Sequence, residues 1–496
     1  MQIVPLPPIL RNKLLNHFIG KVSISAEIRS GCYFTGNKIR IGERVFINKF
    51  CRFFSHSQEK SEIIIGDDVA IAMGCTLTTH THNIGKAFRR APRKTLLGPI
   101  VIEYGCWIGA NVTILPNVTI GHGTIIGAGS VVLKDCLPNS VYAGNPAKLI
   151  KKNRRMKLNK NHPLYQEDLQ NILSLEGVKN IQGKTFLITG ATGMVGVMLI
   201  DALMALGNVK VIAVGRNIEK AKNRLGEYFD NENFEFLSQD VCEPFSKDLN
   251  VDYIIPAASN THPLAYSQYP IETIFINIKG AENALNLASA CGAMVIYTST
   301  NEVYGNAVSD EDFTEDYNGR LNLSNARSCY NESKRSSEAL CQSYIAERGV
   351  DVKIARLCRI FGPTMLETDS KASSQFIKKA INNEDIVLKS EGNQYFSYTY
   401  VADAVMGLLQ VLLHGEIGVA YNVSSEKTNI HLKDFAQLCA DYNHKKVIFD
   451  LPSAEECKGY SIAMKAILSN DRIKGIGFKP MYSMEDAIRR TIEILR

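Results

Sequence analysis

The sequence predicts a two-domain protein in which a parallel β-helix precedes an α/β domain with a doubly wound parallel sheet. Two periodicities indicate this fold class. Aliphatic residues recur every six positions in the first 150 residues, and short apolar runs alternate with helix-length segments from about residue 184. The basic stretch KKNRRMKLNK at 151–160 separates the two patterns. We therefore expect domains at 1–150 and 181–496, joined by a solvated basic linker over 151–180.

Composition narrows the possible functions. Of the 496 residues, 45% are hydrophobic and 21% are charged, which excludes disordered, collagen-like and coiled-coil proteins. The net charge of +6 is modest and basic residues cluster only at 151–160, so we expect no nucleic-acid partner. No apolar run is long enough for a membrane span, and the first residues lack the pattern of a secretion signal. Twelve cysteines without CxxC spacing are typical of reduced thiols, so we expect a cytoplasmic protein without a membrane partner.

The six-residue period defines the first domain. It is unbroken at Ile102, Ile108, Ile114, Ile120, Ile126 and Val132. A period of six fits neither an α-helix nor a single β-strand. It is typical of a solenoid in which each hexad forms one short strand and a tight turn, so that three hexads complete a triangular coil. The period is interrupted at residues 79–99, where we expect a loop that leaves the coil.

The end of this domain carries a family resemblance. The segment CWIGANVTILPNVTIGHGTIIGAGSVVLKDCLPNSVYAGNPAKLIKK, residues 106–152, and the repeats from about residue 20 resemble the hexapeptide-repeat O-acetyltransferases of the maltose and galactoside type. The resemblance implies a left-handed parallel β-helix. It also implies a homotrimer, or a higher multiple of three, with acetyl-CoA bound between neighbouring coils.

Acetyl transfer requires a base that removes a proton from the acceptor, and histidine titrates near neutral pH. The interrupting segment contains His80 and His82 in TLTTHTHNIG. The resemblance assigns the catalytic role to His82, with His80 as the reserve candidate, and implies that Asn48 binds the acceptor and that Trp107 lies beside the active site. The alternatives are that both histidines are ordinary loop residues or a weak metal site, and that the β-helix only trimerises the protein. We expect no metal.

The second domain opens with a glycine-rich turn. The apolar strand TFLIT at 185–189 is followed by a turn that opens a helix, the context of a Rossmann dinucleotide site. Glycines there let the backbone approach a pyrophosphate, which the N–H groups of the helix bind. The predicted cofactor-binding residues of this turn are Gly190, Thr192, Gly193, Met194, Val195 and Gly196.

The second strand of this domain bears on the choice of cofactor. NAD sites usually place a carboxylate at its end, but here Gly215 is followed by Arg216. A guanidinium binds a 2′-phosphate well, so we predict NAD(P) with a preference for NADP, although an arginine stacked on adenine would leave the same pattern. Asp240 and Val241, after the third strand, are expected near the adenine.

A candidate catalytic pair follows in YNESK. Tyr330 and Lys334 are four residues apart on a predicted helix and therefore share one face, where the ammonium is able to lower the pKa of the phenol. The polar segment TSTNEVYG, residues 298–305, ends a predicted strand before it. Tyrosine with a lowered pKa serves as a base near neutral pH.

With PIETIFINIKGAENALNLA, RSCYNESKR and RIFGP, these motifs resemble the extended short-chain dehydrogenases/reductases, and among them the UDP-glucuronate decarboxylases. The resemblance covers about residue 183 to the C-terminus. It implies a substrate-binding lobe from about residue 360, a nucleotide-sugar substrate, and chemistry that begins with oxidation at C4. The implied roles are a hydrogen bond to the sugar O4 for Thr300, proton removal for Tyr330, ribose binding for Lys334, catalysis for Glu302, and substrate binding or support for Asn277, Asn301 and Arg359.

Three departures from the family pattern limit the reaction. Asn301 stands where the 4,6-dehydratases have an acid, which disfavours dehydration. Pro256 replaces a frequent histidine, and Phe396 replaces an arginine that contacts the diphosphate. We predict a bifunctional enzyme of activated-sugar or surface-polysaccharide synthesis, combining a sugar acetyltransferase with a nucleotide-sugar decarboxylase or epimerase. The alternatives are a 4,6-dehydratase, a 4-ketoreductase, and a non-catalytic NADP-sensing domain on a trimeric scaffold.

Overall fold

A computed structural model describes residues 8–56, 61–84, 86–91, 95–152, 156–261, 266, 268–307, 310–450 and 464–496. It divides into two compact units, Met1–Arg155 and Met156–Arg496. Among the described helices, none combines the length and the apolar character that crossing a membrane requires.

The first unit is a coil of very short strands that follows helix α1 (Pro8–Phe18). The hexads produce these strands because each provides one inward aliphatic residue and a turn. The strands are β1 (Gly20–Val22), β2 (Glu27–Ile28), β3 (Tyr33–Thr35), β4 (Ile39–Ile41), β5 (Phe46–Ile47), β6 (Arg52–Phe54), β7 (Ile63–Ile65), β8 (Ala70–Ile71), β9 (Thr76–Thr78), β10 (His80–His82), β11 (Thr95–Leu97), β12 (Ile100–Ile102), β13 (Trp107–Ile108), β14 (Thr113–Ile114), β15 (Val118–Ile120), β16 (Ile125–Ile126), β17 (Val131–Val132), β18 (Ser140–Ala143) and β19 (Lys148–Lys152).

Three stacked sheets form the sides of this coil. Their orders are β1-β4-β7-β12-β15, β19-β18-β16-β13-β8-β5-β2 and β17-β14-β9-β6-β3. The strands of successive turns pair in parallel, with Ile71 beside Ile108 and Ile108 beside Ile126. The aliphatic residues of the hexads are fully buried inside the coil, as the period predicts.

Thiols form a column inside one corner of the coil. Cys32, Cys51 and Cys75 lie on successive turns, and each thiol donates a hydrogen bond of 3.1 Å to a backbone carbonyl of the next turn. All eleven described cysteines are free.

The coil is interrupted between β9 and β12, as the interruption of the period predicts. The structure adds that β10 and β11, which lie in this interval, pair as an antiparallel hairpin in which His82 lies opposite Thr95. The coil then resumes at β12, which pairs with β7 of the preceding turn.

The second unit is built on a seven-stranded parallel sheet of order β22-β21-β20-β23-β24-β25-β29. Apolar side chains cover both faces, with Ile188 in one hydrophobic cluster and Leu187 in another, as a doubly wound sheet requires. The strands of the unit are β20 (Thr185–Thr189), β21 (Lys210–Gly215), β22 (Phe234–Ser238), β23 (Tyr253–Pro256), β24 (Met294–Thr300), β25 (Val352–Leu357), β26 (Arg359–Phe361), β27 (Ile386–Leu388), β28 (Tyr395–Tyr400), β29 (Ala420–Val423), β30 (Asn429–His431), β31 (Val447–Phe449) and β32 (Lys465–Ala466).

Helices connect these strands. They are α2 (Pro163–Leu173), α3 (Met194–Leu206), α4 (Ile218–Leu225), α5 (Pro270–Cys291), α6 (Ser328–Arg348), α7 (Ala372–Ile381), α8 (Val401–His414), α9 (Leu432–Asp441), α10 (Asp471–Gly475) and α11 (Met484–Leu495). After about residue 360, a small lobe forms around a sheet of β26, β28, β30 and β32 and the pair β27–β31.

The segment predicted as a linker over 151–180 differs from the expectation. Residues 156–180 belong to the second unit, and residues 153–155 lie outside the described residues. Within this segment, the Asp168 side chain of α2 is fully buried, accepts a 2.5 Å hydrogen bond from the Tyr400 hydroxyl and pairs with Arg490 at 3.0 Å. Since both partners lie more than 200 positions away in sequence, the local basic composition gave no sign of this packing.

Candidate functional site

The glycine-rich turn between β20 and α3 brings backbone very close to backbone. Gly190 has a φ of +67°, a conformation that favours glycine, and a Cβ there would lie 2.6 Å from the Ala257 carbonyl oxygen. A Cβ on Gly196 would lie 2.5 Å from the Gly190 carbonyl oxygen. The turn therefore excludes side chains at both positions and keeps the N-terminus of α3 next to the end of β20.

A small pocket opens beside this turn at the carboxyl ends of the parallel strands, where open α/β sheets bind ligands. Its lining includes Thr189, Val241, Ala258, Asn277, Gly280 and Lys334. Of the other turn residues predicted to bind the cofactor, Thr192, Gly193, Met194 and Val195 are all partly exposed at the start of α3. This cradle of bare backbone and helix N-terminus suits the pyrophosphate of a dinucleotide.

Arg216 lies just after β21, at the position expected for recognition of the cofactor ribose. Its Nη1 is 2.9 Å from Glu272 Oε1 and 3.7 Å from Asp240 Oδ2, and its side chain is 58% exposed. Asp240 also accepts a 2.9 Å hydrogen bond from the backbone N–H of Cys242. The guanidinium is thus exposed to solvent, and it also interacts with the carboxylates of Glu272 and Asp240.

The catalytic candidates of the second unit come together at the end of β24 and the start of α6. Thr300 and Tyr330 are both buried, and the Thr300 side chain lies close enough to act on the pKa of the Tyr330 phenol. Glu302 lies in the short 3-10 helix Asn301–Tyr304, and its Oε2 accepts a 3.0 Å hydrogen bond from Asn331 Nδ2. The strand end and the helix start therefore hold a phenol, a hydroxyl and a carboxylate in one place.

Lys334 lies one helical turn after Tyr330 and is buried. Its Nζ donates a 2.9 Å hydrogen bond to the Thr298 carbonyl and lies 5.0 Å from the centre of the Tyr297 ring. Burial lowers the pKa of Lys334 to about 8, although the carboxylate of Glu338 acts in the opposite direction. Near neutral pH the charged form of Lys334 is therefore only weakly favoured over the neutral amine.

The pKa of Tyr330 differs from the sequence expectation. The helical spacing predicts that the Lys334 ammonium lowers this pKa, but burial raises it above its ordinary value, and the Glu302 carboxylate adds to the increase. The nearby Thr300 side chain acts to lower this pKa. Desolvation is thus the larger effect on the pKa of this phenol.

Support for this site comes from helix α5. Asn277 is buried, donates a 2.9 Å hydrogen bond to Ser333 Oγ and accepts one of 2.7 Å from Ser259 Oγ. It therefore ties α5 to the face of α6 that carries Lys334. Asn301 is also buried, next to Thr300.

Three residues of this region were not singled out from the sequence. Tyr266 stacks on Tyr330 with ring centres 5.6 Å apart, and the Arg327 guanidinium is 5.9 Å from the centre of the Tyr266 ring. Glu338 Oε2 forms a 2.7 Å ion pair with Arg356 Nη2. Glu338 follows Lys334 by four residues, so the same helical spacing that identified the Tyr–Lys pair would have found it.

Arg359, expected to contact substrate, lies at the start of β26. Its guanidinium carbon is 3.8 Å from the centre of the Phe396 ring, and Phe396 is buried. Phe396 is the residue that replaces the arginine of the family pattern. The structure thus places a cation against the substituted position.

In the first unit the three expected site residues lie on different turns. Asn48 follows β5 and is half-buried, Trp107 begins β13 with 56% of its surface exposed, and His82 ends β10 and is exposed. His80 has a buried Nδ1 without a hydrogen-bond partner among the described residues. In the same part of the chain and in the rest of the described residues, no cluster of three or more His, Cys, Asp or Glu side chains is arranged to hold a metal ion.

Comparisons with known families match both units. Residues 186–424 match the NAD dependent epimerase/dehydratase family, and residues 99–134 match the bacterial transferase hexapeptide model of six repeats. UDP-glucuronic acid decarboxylase 4 of Arabidopsis thaliana is 36% identical over 261 residues, which are 52% of this chain and 58% of that protein. UDP-glucuronic acid decarboxylase 1 of Danio rerio is 32% identical over 314 residues, 62% of this chain and 72% of that protein.

Solved structures match the fold of the second unit. UDP-glucuronic acid 4-epimerase of Bacillus cereus, in complex with UDP-glucuronic acid and NAD, has a TM-score of 0.56 at 19% identity and covers 63% of this chain and 98% of its own. The dTDP-glucose 4,6-dehydratase of Streptomyces venezuelae with NAD has a TM-score of 0.53 at 21% identity, covering 62% and 96%. The chain belongs to the NAD dependent epimerase/dehydratase family and carries bacterial transferase hexapeptide repeats in its first unit.

Proposed function

We propose that the second unit is a nucleotide-sugar decarboxylase or 4-epimerase that acts through oxidation at C4. The observation that carries this proposal is that the buried side chains of Thr300, Tyr330 and Lys334 come together at the end of β24 and the start of α6, where Lys334 donates to the Thr298 carbonyl and lines the pocket beside the glycine-rich turn. A domain that only sensed a dinucleotide would need the turn but not this hydroxyl pair.

Each residue has a distinct role in the proposed reaction. Thr300 holds the C4 hydroxyl of the sugar by a hydrogen bond, and Tyr330 removes the proton from that hydroxyl. Lys334 stabilises the phenolate that the proton transfer requires, because its ammonium is the buried cation of the same helix face. When bound, the dinucleotide supplies the hydride acceptor, so that the sugar passes through a 4-keto form. Asn277 holds helix α5 against helix α6 by its hydrogen bond to Ser333.

The fate of the 4-keto sugar separates the possible products. A ketone at C4 allows the carboxylate on C5 to leave as carbon dioxide, and it also allows return of the hydride to the other face. Asn301 has no acidic proton to give to a departing hydroxyl, which favours these two outcomes over dehydration. The names of the relatives support both, since they include UDP-glucuronic acid decarboxylases and a UDP-glucuronic acid 4-epimerase.

Replacement of Tyr330 by Phe tests this proposal. Because loss of a general base typically costs 10²- to 10⁴-fold, we expect turnover of a nucleotide hexuronate to fall by about 10³-fold. Product masses after incubation distinguish loss of carbon dioxide from an unchanged mass. Tyr344→Phe is the matched control, since Tyr344 is on the same helix and donates to Asn286. Equal activity of the Tyr330→Phe variant and the wild type would contradict the proposal.

For the cofactor we propose NAD(P) with a preference for NADP, because Arg216 follows β21 where a carboxylate would otherwise bind the ribose. Arg216→Ala should weaken NADP binding about tenfold and change NAD binding less than twofold, as measured by calorimetry. NAD is the second candidate, since Glu272 and Asp240 already engage Arg216 and two solved proteins of this fold hold NAD. Stronger binding of NAD by the wild type would establish that candidate.

We also propose that the first unit transfers an acetyl group from acetyl-CoA to a sugar, as a left-handed coil in a homotrimer. The hairpin that displays His82 beyond the coil supports this, because a base on a projecting strand is able to reach an acceptor bound outside the prism. Asn48 and Trp107 would contribute to that acceptor site. Together the two activities fit the synthesis of an activated, acetylated sugar for a surface polysaccharide.

A further inference from the structure

Arg359 has a donor that the chain leaves unused. Its Nη1 is buried, and no acceptor lies within hydrogen-bonding distance of it among the described residues. A buried donor without an acceptor is destabilising, so native proteins rarely keep one without a ligand or another function. The guanidinium also packs over the Phe396 ring, with its carbon 3.8 Å from the ring centre.

A structural arginine of the same unit shows the contrast. Arg335 donates to the carbonyl oxygens of Val303 at 2.6 Å and Gly319 at 2.9 Å, so its donors hold backbone together. The buried Nη1 of Arg359 has no such hydrogen bond to any acceptor in the described part of the chain. A role in binding something else is the simpler explanation of that arrangement.

The charges around Arg359 point toward an anion. Burial raises the pKa of the Tyr266 phenol, and the positive charges of Arg327 and Arg359 act to lower it. Glu302 is the opposing negative charge among the groups that act on this phenol. Two guanidinium groups and one carboxylate therefore act electrostatically on Tyr266, whose ring stacks on the ring of Tyr330.

We infer that Arg359, supported by Phe396, is a specificity-determining residue that binds the anionic oxygens of the substrate beside the Thr300–Tyr330 pair. The inference rests on the proposed function and deepens it. Two groups of a nucleotide hexuronate have the required chemistry, the diphosphate and the carboxylate on C5. Both accept two parallel N–H bonds from one planar guanidinium, which lysine does not reproduce.

Calorimetric titration of the full chain loaded with NAD or NADP tests this inference, with UDP-glucuronate, UDP-glucose and pyrophosphate as probes. The variants are Arg359→Met and Arg359→Lys. Arg348→Met is the matched control, because Arg348 also lies against a ring, that of Tyr344 at 4.7 Å, about 27 Å along the same helix from Tyr330. We expect both Arg359 variants to lose about tenfold or more in affinity and the control to lose less than twofold.

The pattern of loss identifies the anion. Weaker binding of all three probes indicates the diphosphate, and weaker binding of UDP-glucuronate alone indicates the carboxylate; either result supports the inference. Unchanged affinities of the Arg359 variants, or no binding of any probe to the loaded wild type, would overturn it. The proposed reaction fails differently: the probes bind with the expected dependence on Arg359, but no nucleotide hexuronate is converted.

Discussion

At the scale of single residues, burial decides the electrostatics of the candidate site. The Tyr–Lys pair was predictable from spacing alone, because four residues bring two side chains to one face of a helix. The signs of the pKa shifts were not predictable in the same way. They depend on how much water the surrounding sheet and helices exclude, and residues such as Tyr266 and Asn277 reach the site from other elements.

The buried lysine leads to a prediction about stability. Burial lowers the pKa of Lys334 from 10.5 to about 8, so between these values the unfolded chain binds more protons than the folded chain. The free energy of unfolding should therefore rise with pH across this window, by about 3 kcal/mol more in the wild type than in Lys334→Met. Denaturant titrations of the ligand-free protein between pH 7.5 and 10.5 measure this difference. The same pH slope in both proteins would mean that Lys334 titrates normally.

At the scale of elements, the periodicity of the sequence predicted structure that neighbouring residues form, and it did not predict contacts between residues far apart in the sequence. The hexads predicted the coil and the position of its interruption, because each hexad contains its own inward residue and turn. The packing of helix α2 was not predictable from the sequence, because its partners are distant. Tyr400 comes from the end of β28, and Arg490 comes from α11. The partners of a buried carboxylate such as Asp168 come close to it only in the folded chain, so the neighbouring sequence does not identify them.

This anchoring of α2 gives a second prediction about stability. Burial raises the pKa of Asp168 to about 6 even beside Arg490, and loss of the partner would leave an uncompensated buried charge. Arg490→Met should lower the free energy of unfolding of the second unit by about 3–5 kcal/mol at pH 8. The loss should be smaller at pH 5, where Asp168 is protonated and neutral. Arg489→Met, at a more exposed neighbouring position, should cost less than about 1 kcal/mol.

At the scale of the whole molecule, two compact units carry two separate sets of candidate residues. We expect His82→Ala to abolish acetyl transfer from acetyl-CoA and to leave conversion of the nucleotide sugar within twofold of the wild type. Tyr330→Phe should have the opposite effect. Parallel assays of both reactions on each full-length variant measure this, with light scattering as the control that the variants keep the wild-type molar mass. Loss of both activities in either variant would contradict two independent sites.

The register of the coil also restricts how such a protein is able to change length over evolution. Ile108 lies beside Ile126, one complete circuit further along the chain. Duplication of one whole turn would lengthen the coil by one turn and keep every buried aliphatic residue stacked on the equivalent residue of the next turn. An insertion of any other length has to form a loop outside the coil, as the hairpin that carries His82 does. New catalytic residues are therefore expected to arise in such loops and not in the three stacked sheets.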